Sequence, residues 1–119
     1  MKVEFAYDKQ ANMVNNYPDS NALKKYIDKK KCPATPEDVI NALNALNAAP
    51  TAADLPPMLN YHLLANNRSG TAAVDIRISG RGGRGTWRIV FTPVSNCSDI
   101  NQQKSIERII VEELVVDYH

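Results

Sequence analysis

The sequence has few cysteines and no long apolar stretch. Its two cysteines, Cys32 and Cys97, lack the close spacing of zinc ligands, so we expect reduced thiols in a cytoplasmic protein. A disulfide between them is the alternative. No apolar run approaches the ~20 residues that a membrane-spanning helix needs. The first residues, MKVEFAYDK, are too charged for a secretory signal, so neither a membrane nor a secreted protein is expected.

An excess of charge of either sign is also missing. The 119 residues include 14 Lys and Arg against 13 Asp and Glu, a formal net charge of +1. These charges are segregated, because residues 68–88 hold a single acid, Asp75, whereas acids dominate residues 107–117. The pattern predicts a polarised surface, with solvated strand faces as the alternative. The basic stretch contains five arginines: Arg68, Arg77, Arg81, Arg84 and Arg88.

The N-terminal part predicts one strand followed by two helices. KVEFAY alternates apolar and polar residues, as a half-buried strand does. In YPDSNALKKYIDKKKCP, Asp19 or Ser20 can cap a helix that ends in lysines before Pro33. The second helix has the clearest start, with Thr35 as N-cap, Pro36 in the first turn and Asp38 three residues after the cap. Its predicted buried face consists of Val39, Ile40, Leu43 and Leu46.

Strand patterns dominate the rest of the chain. AAVDIRIS and TWRIVFTP alternate in the manner of half-buried strands, and the β-branched pairs of IERIIVEELVVDYH favour a central strand covered on both faces. The length suits one domain, residues 1–119. We therefore predict an α+β fold, in which two N-terminal helices pack on a mostly antiparallel, twisted β-sheet.

GRGGRG, residues 80–85, formally matches a dinucleotide-binding fingerprint, but a strand follows it where that fingerprint requires a helix. We interpret it as a hairpin connection whose Arg81 and Arg84 can contact a phosphate backbone, or else as a solvated tip. With Ser79 opposite Thr86, the hairpin places Arg77 opposite Arg88, and a neighbouring register makes the two arginines diagonal neighbours. An anion between them would relieve their repulsion. The alternative is that Asp75 or a tail carboxylate neutralises one of them.

His62 and His119 are the only histidines. Together with Arg77, Arg88 and Tyr118 they suffice for RNA cleavage without a metal, which needs a base, an acid and cations for the phosphorane. Alternation along the last strand places Asp117 and His119 on one face, where Asp117 can orient the imidazole. The other possibility is an Asp117–Arg88 ion pair. A zinc site is less favoured, because no short-spaced histidine pair is present.

Four stretches in this order resemble the RelE-like toxins, and most closely the HigB-type, or plasmid-maintenance killer, toxins: LNYHLLANNRSG, AVDIRI, TWRIVF and the terminal VVDYH. The resemblance implies a microbial-ribonuclease-like α+β fold that cuts mRNA on the ribosome without a cofactor. It also implies a helix-turn-helix antitoxin as partner. His62 would act in acid–base chemistry or position the phosphate. Arg88 would stabilise the phosphorane, and Arg68 would contact a phosphate. The C-terminal part of the site would be Asp117, Tyr118 and His119.

The chain departs from the toxin pattern at several positions. Ala65 and Asn66 stand where the family has lysine and glycine, so Arg68 or Arg77 would have to supply the missing cation. The hairpin tip, residues 80–85, and the loop over residues 92–105 are also longer than in the family. The competing hypothesis is therefore a non-catalytic binding protein, either a decayed homologue or a relative that inhibits its target by docking, as gyrase-poisoning members of the superfamily do.

Overall fold

The structure, a computed structural model, describes residues 1–64, 70–78, 87–95, 104 and 106–117. Arg68, Arg81, Arg84, Tyr118 and His119 lie outside the described residues, as do the hairpin tip and most of the loop after residue 95. In the described part the helices are α1 (Asp8–Asn15), α2 (Ala22–Lys29) and α3 (Pro36–Ala48). The strands are β1 (Lys2–Phe5), β2 (His62–Leu63), β3 (Ala72–Asp75), β4 (Trp87–Ser95) and β5 (Ile106–Asp117). Short 3-10 turns occupy Ala52–Asp54 and Pro57–Leu59.

The strands form one sheet in the order β1-β5-β4-β3-β2. β1 runs parallel to β5, with Val3 opposite Ile109, and the other three pairings are antiparallel. The predicted α+β fold with a mostly antiparallel sheet is therefore confirmed, as is the C-terminal strand. The predicted number of helices is wrong, because the described chain holds three.

The additional helix is α1. It buries one side chain, Met13, and Gln10 Nε2 donates a hydrogen bond to the backbone oxygen of Glu112 on β5, at 3.1 Å. A single apolar anchor gives too weak a helical period to be recognised in DKQANMVN. This helix depends on tertiary contacts rather than on its own pattern.

The second helix, α2, packs through Leu23 and Ile27, which are fully buried. Its N-cap is Asn21, which makes no side-chain cap bond, and the Oγ of the preceding Ser20 accepts from the Ala22 N–H at 3.2 Å. The predicted lysine-rich end is present, with Lys29 in the last turn. Ser20 is thus close to its predicted role, although it lies one residue before the cap.

The third helix, α3, starts as predicted. Thr35 Oγ1 accepts from the Asp38 N–H at 3.2 Å, and the Asp38 carboxylate accepts from the Thr35 N–H at 2.9 Å. This reciprocal pair is a capping box with aspartate in the third position. At the other end the Met1 ammonium donates to the backbone oxygens of Leu46, Asn47 and Ala49. A positive charge at the carboxyl end of a helix is favourable.

The core lies between the helices and one face of the sheet, which we call the helix face. Leu23, Ile27, Val39 and Leu46 of the helices are buried there against sheet residues that include Val74, Ile89, Phe91, Ile109 and Val111. β4 and β5 pair with register irregularities, and Leu114 and Val115 are both fully buried at one of them. None of the helices in the described part of the chain is long and apolar enough to span a bilayer.

Candidate functional site

The side of the sheet opposite the helix face, which we call the outer face, carries His62, Asp75 and Arg88. Directly paired residues of antiparallel strands project to the same side. Asp75 pairs with Arg88, and each is the sequence neighbour of a helix-face residue, Val74 and Ile89 respectively. His62 pairs with Ala73, which in turn pairs with Val90. Three adjacent strands therefore contribute one polar side chain each to the outer face.

Asp75 and Arg88 form a largely buried ion pair. Arg88 Nε donates to Asp75 Oδ1 at 3.0 Å, with 2% of the aspartate and 23% of the arginine side chain exposed. The register is the neighbouring one, which makes Arg77 a diagonal neighbour of Arg88 rather than its direct partner. Among the described residues, the sequence-based alternative that is present is the neutralisation of Arg88 by Asp75. Arg77 is exposed, and its Nη1 lies 3.7 Å from Met58 Sδ.

Asn60 links this ion pair to His62. Its side-chain amide Nδ2 donates to Asp75 Oδ2 at 3.3 Å, and its backbone oxygen lies 2.7 Å from His62 Nδ1. Asn60 has a left-handed backbone conformation, φ 50° and ψ 50°, which asparagine tolerates better than other non-glycine residues. This conformation aims the carbonyl and the side chain at two different partners. His62, Asn60, Asp75 and Arg88 thus form one hydrogen-bonded chain, which we call the outer-face network.

The bond to Asn60 fixes the role of each nitrogen in the His62 ring. A backbone carbonyl only accepts hydrogen bonds, so Nδ1 carries a proton in the neutral as well as the charged imidazole. Nε2 is therefore the atom at which this side chain takes up or releases a proton. The His62 residue is half-buried, which leaves part of it accessible from solvent.

The spacing of these residues follows from the strand register. His62 lies two strands across from Arg88 and two residues along, which corresponds to about 12 Å between their Cα atoms for standard sheet geometry. Ala73 and Val90 occupy the sheet positions between them and are almost completely buried, so this part of the sheet is covered rather than exposed to solvent. The imidazole and the guanidinium therefore lie on the same face of the sheet, two strands apart.

Asp117 lies on the other side of the sheet. It pairs directly with Trp87, which packs against the core, whereas Arg88 pairs with Val116. The negative charge of Asp117 also acts electrostatically on the thiol of Cys32, which lies in the segment between α2 and α3. Burial raises the pKa of the Cys32 thiol, and the carboxylates of Asp38 and Asp117 raise it further. By register Asp117 therefore projects to the face opposite His62 and Arg88, and His119, which Asp117 was predicted to orient, lies outside the described residues.

Two features of the site were not identified from the sequence. Asn60 belongs to no recognisable sequence motif. The one signal in the sequence is that asparagine tolerates positive φ, the conformation that this turn requires. Tyr61 turns its ring toward Phe91 on the helix face, with 6.0 Å between ring centroids. Its hydroxyl is buried and has no hydrogen-bond partner among the described residues, and burial raises its pKa.

The outer-face network places an imidazole and a guanidinium, two groups of the kind that bind phosphates in proteins, on one face of the sheet. Groups of three or more histidine, cysteine or acidic side chains arranged to bind a metal ion do not occur among the described residues. Comparisons of the chain with protein-family models, with characterised proteins and with solved structures found no match.

Proposed function

We propose that this protein is the toxin of a type II toxin–antitoxin system and acts as a ribosome-dependent mRNA endonuclease. The observation that carries the proposal is the outer-face network, in which Asn60 and Asp75 hold a histidine and an arginine on one surface. The sheet order, with its parallel β1–β5 pair and three antiparallel pairs, is compatible with the fold implied by the sequence resemblance. The cognate helix-turn-helix antitoxin and the ribosome are the proposed partners.

In the proposed reaction a base removes the proton of an RNA 2′-hydroxyl, and that oxygen attacks the adjacent phosphorus. The 5′-oxygen then leaves with a proton from an acid. His62 Nε2 exchanges one of these protons, because Nδ1 is held by the Asn60 carbonyl. Arg88 stabilises the extra negative charge of the phosphorane, and Asp75 fixes the orientation of its guanidinium. His119 and Tyr118 are proposed for the second proton role, and Arg68, Arg77, Arg81 and Arg84 for contacts with the RNA backbone.

One observation favours a second candidate function, a non-catalytic protein that inhibits its target by docking. By register Asp117 pairs with Trp87, so it projects to the face of the sheet opposite His62 and Arg88. Under this alternative the Asp75–Arg88 pair is a structural element of the sheet, and growth would stop without any loss of transcripts.

The test is controlled expression followed by primer extension on cellular mRNA and on mRNA translated by purified ribosomes. The wild-type protein should arrest growth and produce cleavage sites that require translation. His62→Asn is the informative variant, because the asparagine amide can still donate to the Asn60 carbonyl while the atom equivalent to Nε2 is lost. We expect at least a hundredfold loss of cleavage with the fold retained.

Arg88→Gln should cause a similar loss, and Arg108→Gln is its matched control. Arg108 is an exposed arginine on β5 that pairs with Glu4 at 3.6 Å. It lies six β4 residues from Arg88 by register, about 20 Å for an extended strand. Growth arrest with intact transcripts would reject the nuclease and support the docking alternative.

A further inference from the structure

A groove of about 1030 Å³ runs between α1 and α2, on the helix side of the sheet. Four lysines line it: Lys9 from α1, and Lys25, Lys29 and Lys30 from α2 and its C-cap. Its remaining lining residues are uncharged. The groove is therefore strongly cationic in a protein whose formal net charge is only +1.

These lysines have no ion-pair partner within the described residues. The nearby acid Asp28 is bound to Lys24, at 2.9 Å, and Lys24 does not line the groove. Lys25 and Lys29 are four residues apart on α2, a spacing at which like charges lower helix stability. An anionic ligand would turn this unfavourable arrangement into a binding contribution.

The floor of the groove is apolar. We use the word floor for the apolar part of the groove lining, which consists of Met13, 5% exposed, together with Ala22 and the ring of Tyr26. Lys30 Nζ lies 5.7 Å from the centre of that ring, and lysine stems add further apolar surface. A bare phosphate has nothing to place against such a floor, and RNA can stack a base on the Tyr26 ring alone, near which Lys30 already lies. An amphipathic peptide instead presents several aliphatic side chains between its charges.

We propose that the α1–α2 groove binds an acidic, amphipathic helical segment of a protein partner, with aliphatic side chains on the apolar floor and carboxylates against the four lysines. Each groove wall is an eight-residue helix, about 12 Å long at 1.5 Å per residue. The groove therefore accommodates roughly two to three turns of a partner helix. This binding site is independent of the proposed RNA chemistry, since it lies on the other side of the sheet.

The test is fluorescence anisotropy with the full chain and three labelled probes. The first probe is a helical peptide of about twelve residues with leucines at i, i+3, i+4 and i+7 and glutamates elsewhere. The second replaces each leucine by serine, and the third is a single-stranded RNA of equal charge. We expect saturable binding of the first probe, at least tenfold weaker binding of the second, and no tighter binding of the RNA.

The paired variants are Lys25→Gln/Lys29→Gln and the control Lys2→Gln/Lys24→Gln, which removes the same charge from exposed lysines outside the groove. The first pair should weaken peptide binding about tenfold and the control less than twofold. Equal binding of both peptides, or RNA binding that is tighter and equally sensitive to the first pair, would overturn the proposal. Absence of peptide binding to the wild-type protein would overturn it as well.

Discussion

Arg88 is the residue on which both the outer face and the proposed chemistry depend. Replacing it by glutamine leaves the Asp75 carboxylate, 2% exposed, without its cationic partner. Loss of one member of a buried pair costs several kcal/mol, and the partial exposure of Arg88 reduces this to about 2 kcal/mol. Urea denaturation should show this decrease for Arg88→Gln and less than ~0.5 kcal/mol for Arg108→Gln. Equal stability of the two variants would contradict the buried ion pair.

Tyr61 offers a second prediction, because its buried hydroxyl has no hydrogen-bond partner among the described residues. Tyr61→Phe should leave stability at pH 7 unchanged or raise it by up to about 1 kcal/mol. Burial raises the pKa of Tyr61, so the unfolded chain loses this proton first as the pH rises above the ordinary value of 10.0. Stability should therefore fall more steeply above that pH in the wild type than in the variant.

The control for this comparison is Tyr7→Phe, since Tyr7 is 60% exposed. It should leave the stability at pH 7 unchanged. A loss of more than ~1 kcal/mol in Tyr61→Phe would mean that the hydroxyl does make a stabilising hydrogen bond.

The reactivity of the Cys32 thiol can be used to test the position of Asp117. Burial raises the thiol pKa, so less of the reactive thiolate is present at pH 8 than for an ordinary cysteine, and the Asp117 charge adds to this. In a Cys97→Ser background, iodoacetamide should modify Cys32 slowly in the folded protein and rapidly in urea. Asp117→Asn should lower the pKa and speed the folded-state reaction at pH 8. Glu107→Gln, an exposed acid on the same strand, is the control, and an equal effect of both variants would contradict the placement of Asp117.

At the level of elements, the start of α3 is stabilised by a local capping box, in which Thr35 and Asp38 satisfy each other's backbone N–H groups. Thr35→Ala removes the acceptor of the Asp38 N–H and should cost about 1 kcal/mol. Thr51→Ala provides the comparison, because Thr51 faces Asp54 in the same spacing at the start of a three-residue turn, and their contacts are exposed. Thermal or urea unfolding should show a smaller effect for Thr51→Ala. Equal effects would mean that the capping box does not stabilise α3 specifically.

The elements that could be predicted from the sequence are those with strong local patterns. Thr35, Pro36 and Asp38 predict α3 because capping is decided within one helical turn. The strands β4 and β5 are likewise recognisable by alternation and β-branching. α1 was not predicted, because its one buried side chain, Met13, matters only once the sheet is in place.

The pairing of Arg88 shows why the site was harder to predict than the fold. Several hairpin registers keep Trp87, Ile89 and Phe91 on the helix face, and each gives Arg88 a different partner on the outer face. Only the assembled sheet selects Asp75. The link through Asn60 depends in addition on a left-handed turn after Leu59, which no periodic pattern encodes.

At the scale of the whole molecule, the sheet separates two polar surfaces. The outer-face network holds His62 and Arg88, and the α1–α2 groove with its four lysines lies on the helix side of the sheet. Variants of one surface should therefore leave the function of the other intact. Lys25→Gln/Lys29→Gln should retain RNA cleavage, and His62→Asn should retain peptide binding.

The central claim is that His62 and Arg88 act on an RNA phosphodiester through attack by the neighbouring 2′-hydroxyl. The most direct measurement is the chemistry of the RNA ends after cleavage on translating ribosomes. The account predicts a 2′,3′-cyclic phosphate on the upstream fragment and a 5′-hydroxyl on the downstream one, with both products lost in His62→Asn and retained in Arg108→Gln. Fragments bearing a 5′-phosphate, or unchanged cleavage by folded His62→Asn, would contradict it.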